Sequence, residues 1–101
     1  MSSSRDFLDY VLEQLSELSD VSFRPMMGEY VIYYEGKVVG GIYDDRFLIK
    51  NTKSVSEYLK NNDISLPLEK PYPGGRDMLA ADIDDREMTC CLIEKIRKDL
   101  K

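Results

Sequence analysis

Apolar residues recur at two different periods along this chain, and the change of period separates helical stretches from strand-forming ones. Near the N-terminus Phe7, Val11, Leu15 and Leu18 fall at i, i+4, i+8 and i+11, with Leu8 and Leu12 widening the stripe. That spacing predicts an amphipathic helix from about Ser4 to Leu18, packed on one face. Ser4 suits the N-cap, and Asp6 in the first turn complements the helix dipole. From Val21 to Lys50 the apolar runs become short and rich in β-branched and aromatic residues: Val21–Arg24, Tyr30–Tyr34, Lys37–Tyr43 and Arg46–Lys50. Glu35-Gly36 and Asp44-Asp45 supply turns, so these runs predict an antiparallel meander of four strands. Pro25 closes the first run and marks it as an edge strand or a strand end. Gly40-Gly41 inside the third run points to a bulge, or to a helix lying close on the sheet.

Ser54 with Glu57 three residues later forms a capping-box pattern and predicts a short helix over Val55–Asn61. Leu66–Gly75 contains three prolines, which forbid a regular helix or a central strand, and is expected to be a loop. Met78–Ile83 reads as one more strand. Asp84 or Asp85 then caps a last helix whose stripe is Met88, Cys91, Leu92, Ile96 and Leu100. The predicted order is α–β(4)–α–β–α, a two-layer α+β fold with an antiparallel sheet packed with helices, and residues 1–101 are expected to form a single domain.

Composition narrows the chemistry. The 101 residues hold 14 Lys and Arg against 19 Asp and Glu, a net charge of −5, and contain neither histidine nor tryptophan. An acidic chain argues against sequence-independent nucleic-acid binding, which needs clustered Lys and Arg. Without histidine there is no Ser-His-Asp triad, no imidazole base and no His-containing zinc site. Cys90 and Cys91 are neighbours, and a disulfide between neighbours is strained, so they read as reduced thiols of a cytoplasmic protein. The start, Met1–Asp6, enters the amphipathic pattern directly and does not resemble a secretory signal. No apolar run approaches the ~18–20 residues that span a bilayer, so no membrane role is expected.

Three constellations invite chemistry, and each has a structural explanation. Asp44-Asp45 and Asp84-Asp85, with Arg46 or Arg76, are the ingredients of a small-ligand or metal-assisted enzyme, yet both pairs fall where Asp is favoured locally, at a turn and a helix start. Pro73-Gly74-Gly75-Arg76 lacks the spacing of a phosphate-binding loop. Lys95–Lys101 would serve a weak DNA-binding accessory, but cations at a helix C-terminus are also stabilising there. No catalytic residue, cofactor site or metal ligand is therefore assigned. More informative is the meander itself, which is apolar or aromatic on both faces. A sheet wetted on one side shows cleaner alternation. Val31, Tyr33, Val39 and Tyr43 are expected to face a partner: a protein, a second subunit in a homodimer, or the crossing 66–75 segment.

Phe23-Arg24-Pro25-Met26-Met27-Gly28-Glu29-Tyr30 and the stretch from Tyr34-Glu35-Gly36 to Asp44-Asp45-Arg46-Phe47-Leu48-Ile49-Lys50 resemble the TfoX (Sxy) N-terminal domain family. The likeness continues through Pro71-Tyr72-Pro73-Gly74-Gly75-Arg76 and Asp84-Asp85-Arg86-Glu87. It matches a short, free-standing branch, without the C-terminal helical domain that competence regulators carry. The resemblance implies a secretion-chaperone-like two-layer α+β fold. It also implies a non-enzymatic role in regulation or protein interaction, without a cofactor.

Overall fold

Three tight hairpins build the centre of the molecule, and their turns explain the sheet. Met27-Gly28 (φ 53° and 85°), Glu35-Gly36 (50° and 79°) and Asp44-Asp45 (53° and 55°) each place two consecutive residues in the left-handed region. Two-residue turns of this hand match the right-handed twist of the strands they join. The computed structural model describes residues 3–100; Met1, Ser2 and Lys101, with the readings placed on them, lie outside it. Its elements are α1 (Arg5–Gln14), β1 (Val21–Met26), β2 (Glu29–Tyr34), β3 (Lys37–Tyr43), β4 (Arg46–Ile49), α2 (Lys53–Asn61), β5 (Leu68–Glu69), β6 (Met78–Ala80) and α3 (Arg86–Asp99). All six strands form one antiparallel sheet in the order β1-β2-β3-β4-β6-β5.

The α+β class stands, with one element more than the sequence predicts. β5 pairs Leu68 with Leu79 and Glu69 with Met78 at the far edge of the sheet. Proline excludes a central strand, but a two-residue edge strand beginning just after Pro67 escapes that restriction. β1 forms the opposite edge and accommodates Pro25 opposite Tyr30.

Paired residues share a face, so the register locates the core. Ile32, Ile42, Phe47, Ile49 and Leu79 point to one side and pack in a single cluster with Leu8, Val11 and Leu15 of the N-terminal segment, Val55 of α2, and Leu92, Ile93 and Ile96 of α3. All three helices therefore cover the same face. Burying each such side chain contributes ~1.5–3 kcal/mol. The N-terminal helix ends at Gln14, earlier than Leu18, because Ser16 N–H and Leu18 N–H turn back to the carbonyls of Glu13 and Leu15. Leu15 and Leu18 still reach the core through those tighter turns.

A bulge corrects one partner-facing assignment. Ile32 lies opposite Gly40 but Tyr33 lies opposite Val38, which leaves Val39 as the extra residue in β3. The irregularity turns Val39 onto the helix-covered face, where it is fully buried in the core. It presents no surface to a partner. In α3 the buried positions are Thr89, Cys90, Leu92, Ile93 and Ile96, so Cys90 and not Cys91 joins the core.

The helix ends are held both by local caps and by side chains from distant positions in the chain. Ser4 Oγ accepts from Phe7 N–H (3.1 Å) and Asp85 from Met88 N–H (3.2 Å), both as expected. Arg86 donates to the carbonyls of Glu13 (2.9 Å) and Gln14 (3.2 Å) and to Ser16 Oγ (2.7 Å), closing the C-terminus of α1. The capping box at Ser54 does not form. Thr52 occupies the N-cap without a side-chain bond, and Asp99, at the end of α3, accepts from Ser54 N–H (2.8 Å) and Ser54 Oγ (2.6 Å) instead. These bonds from Ser54 hold the Asp99 carboxyl below its ordinary value of 3.8. On acidification the unfolded chain takes up this proton first, so the stabilisation is present above the ordinary value and is lost as pH falls through the folded one. Asp99→Asn is expected to lower the thermal midpoint at neutral pH, with the gap to the parent protein closing well below pH 3.8. Melting curves across that range measure it.

Candidate functional site

The face of the sheet away from the helices is partly covered by the protein's own chain. Val31, Gly41, Leu48 and Ala80 form one row across β2, β3, β4 and β6 on this outer face. Gly41 and Leu48 are buried, whereas Val31 and Ala80 are half-buried. Tyr43, two residues beyond Gly41, folds its ring back over that glycine; a Cβ there would lie 2.6 Å from the ring. Tyr72 meets Tyr43 edge-on, with ring centroids 6.4 Å apart and planes at 62°. Burial pushes the Tyr43 phenol above its ordinary value, with the Tyr72 phenol adding to the effect.

Residues 70–77 thus act as a strap across the outer face. Arg46 fastens its first end, with Nη1 2.6 Å from Glu69 Oε1, Nη2 donating to the Lys70 carbonyl (3.3 Å), and Nε donating to the Tyr43 carbonyl (3.1 Å). Lys70 closes the strap upon itself through Asp77 (3.1 Å) and the Gly75 carbonyl (3.3 Å).

Open space lies on both sides of the strap. A cleft of about 830 Å³ separates it from the β1–β2 turn and is lined by Met26, Met27, Tyr43, Arg46, Pro71 and Tyr72 among others. Glu29, Asp44 and Lys70 also line it, and three large apolar side chains stand exposed on it: Met27 is 98% accessible, Met26 48% and Tyr72 57%. A second cleft of about 640 Å³ opens beyond Tyr72, between the strap and the connection from β4 to α2, with Val38, Lys50, Asn51 and Arg76 in its walls. The two clefts share Tyr43, Pro71 and Tyr72.

The expected outer-face residues divide accordingly. Tyr43 lies under the strap, so the crossing 66–75 segment takes up part of the apolar surface. Val31 and Tyr33 remain half-buried on the β2 side, with the Arg24 guanidinium 5.7 Å from the Tyr33 ring centre. Met26, Met27 and Tyr72 entered the sequence reading only through the family motif. Period alone does not single out residues on turns and straps, but the Met27-Gly28 pair before a strand carries the signal of a left-handed turn that would have exposed Met27.

Three of the four paired aspartates hold the fold through their carboxylates, and Asp44 does so through its backbone N–H. Asp45 Oδ1 accepts from Ser4 N–H (2.7 Å), while Asp44 N–H donates to Glu29 Oε2 (2.7 Å), whose other oxygen accepts from Ser3 Oγ (2.8 Å). Asp84 accepts from Tyr10 OH, which raises the Tyr10 phenol, and Asp85 caps α3. The structure places one pair at the β3–β4 turn and the other at the start of α3. Among the described residues no group of three or more His, Cys, Asp or Glu is arranged to hold a metal ion. In the basic tail, Lys95 Nζ sits 5.0 Å from the Tyr58 ring centre and Arg97 Nε 3.4 Å from Glu35. Cys90 is buried with Sγ 3.6 Å from the Gln14 carbonyl, and burial pushes its thiol up. No helix of the described residues is long and apolar enough to cross a membrane.

Comparison with known proteins agrees with the motifs in the meander. The family model of the TfoX N-terminal domain matches residues 13–78. A relative from Spirochaeta aurantia, described as an uncharacterized 12.7 kDa protein in the trpE 5′ region, is 34% identical over 82 residues, covering 81% of this chain and 68% of its own.

Proposed function

The chain belongs to the TfoX N-terminal domain family, and from that premise we propose that it is a regulatory module that works by binding a protein, without catalysis. The observation that carries this reading is the exposed rim of Met26, Met27 and Tyr72 around an open cleft. Methionine and tyrosine present large, adaptable contact area and are enriched where proteins dock. The regulated process we infer is gene expression of the kind that the competence regulators of the family control, in the cytoplasm.

The test is a photoreactive amino acid at position 27, compared with one at the exposed Glu57 of α2. Crosslinking in cells to a discrete protein from position 27 alone is expected. Equal labelling from both positions, or none from position 27, would overturn the reading. Met27→Glu is expected to abolish the crosslink to a label placed at Met26 while shifting stability by no more than about 0.5 kcal/mol, as is usual for an exposed site. Light scattering during size exclusion separates a second copy of this chain from a different partner as the occupant.

A further inference from the structure

We propose that the partner segment is acidic: an extended peptide whose carboxylate is held by Lys50 and Arg76 in the second cleft while a neighbouring apolar side chain enters the first, beside Met26 and Tyr72. This rests on the protein-binding reading above and adds the chemistry of the partner.

Charge distribution is what selects an acid. The whole chain carries a net charge of −5, so most of its surface repels an acidic ligand. Around the strap, Arg46 is neutralised by Glu69 and Lys70 by Asp77, and Glu29 and Asp44 in the wall of the first cleft disfavour an acid there. Lys50 and Arg76 line one cleft and, among the described residues, form no ion pair with a carboxylate. The remaining acid in that wall, Asp77, is the one already held by Lys70. Asn51 lines the same cleft. Its Oδ1 accepts from Ser56 Oγ (2.7 Å), which leaves the amide hydrogens to donate. Two cations and an amide donor fit a carboxylate, which accepts through two oxygens. Because the clefts meet at Tyr43, Pro71 and Tyr72, a single extended segment is able to place an acid in one and an apolar residue in the other. An otherwise acidic surface then adds specificity, since it penalises any other placement of the same peptide.

The experiment is selection of a random peptide library displayed on phage against the intact protein and against the Lys50→Glu/Arg76→Glu double variant. Lys50 is half-buried and Arg76 exposed, and unchanged melting of the variant checks that it is folded. Enrichment of peptides pairing Asp or Glu with a nearby Leu, Met or Phe is expected from the parent. The selected peptide, synthesised with a fluorescent label, should bind at least about tenfold more weakly to the double variant, the effect expected when charge-assisted hydrogen bonds are lost. Its affinity should fall with added salt. Amide shifts on titration should cluster at Asn51 and residues 74–77. Enrichment of apolar peptides without an acid, or equal binding by the charge-reversed variant, overturns the acidic partner while sparing the protein-binding reading. Failure to enrich any peptide overturns the acidic segment, and together with absent crosslinking from position 27 it overturns both readings.

Discussion

Replacing Gly40 with alanine is expected to destabilise the protein by about 3 kcal/mol or more, in the range reached when added atoms have no room. A Cβ at this position would stand 2.3 Å from the Leu48 carbonyl oxygen and 3.0 Å from Ile49 Cα. Both are backbone atoms of the neighbouring strand, so no rotamer change relieves the overlap, and β3 must move away from β4. Gly36→Ala provides the contrast. Nothing lies within 4 Å of its added carbon, but its φ of +79° is left-handed, so the cost is about 1 kcal/mol of backbone strain. Urea denaturation of the two variants should separate them clearly. Equal losses at both sites would mean that the approach of β4 to Gly40 is looser than described.

Leu48→Ala is the other large effect expected, at about 3 kcal/mol. Leu48 is fully buried yet stands apart from the helix-side cluster. Its row neighbours are Gly41 and Ala80, so no large adjacent side chain in the row is available to fill the space that truncation leaves. The same change at Leu68, 56% exposed at the sheet edge, should cost no more than about 0.5 kcal/mol. If Leu48→Ala proved as mild as Leu68→Ala, the outer face would not be packed as described. A strong effect would show that this face has a hydrophobic centre of its own.

Much of the architecture is legible in the residues because local signals agree there. Ser4 and Asp85 cap the helices they precede, Glu35-Gly36 and Asp44-Asp45 turn where their chemistry favours it, and the helix-period stripes identify the covering elements. What escapes has identifiable causes. The capping pattern at Ser54 is overridden by Asp99, a group distant in sequence that reaches the same backbone N–H. Val39 changes face because a bulge shifts the alternation by one residue, and the Gly40-Gly41 signal announces an irregularity without saying which side chain it turns. β5 is two residues long and held only by its partner, which leaves no periodic trace. The candidate site is harder to read still. The expectation that Tyr43 lies on a covered outer face rests on alternation, whereas Met26 ends an edge strand and Met27 and Tyr72 owe their positions to a turn and a strap.

That strap hangs from the most weakly bonded part of the sheet. β6 pairs two residues with β4, and β5 pairs two with β6, whereas β1 and β2 are paired over six. Local opening follows the sparsest bonding. This margin should fray before the hairpins loosen, baring Tyr43 and Leu48 while the rest of the molecule remains folded. Access to the outer face is then set by a brief, reversible detachment of one border.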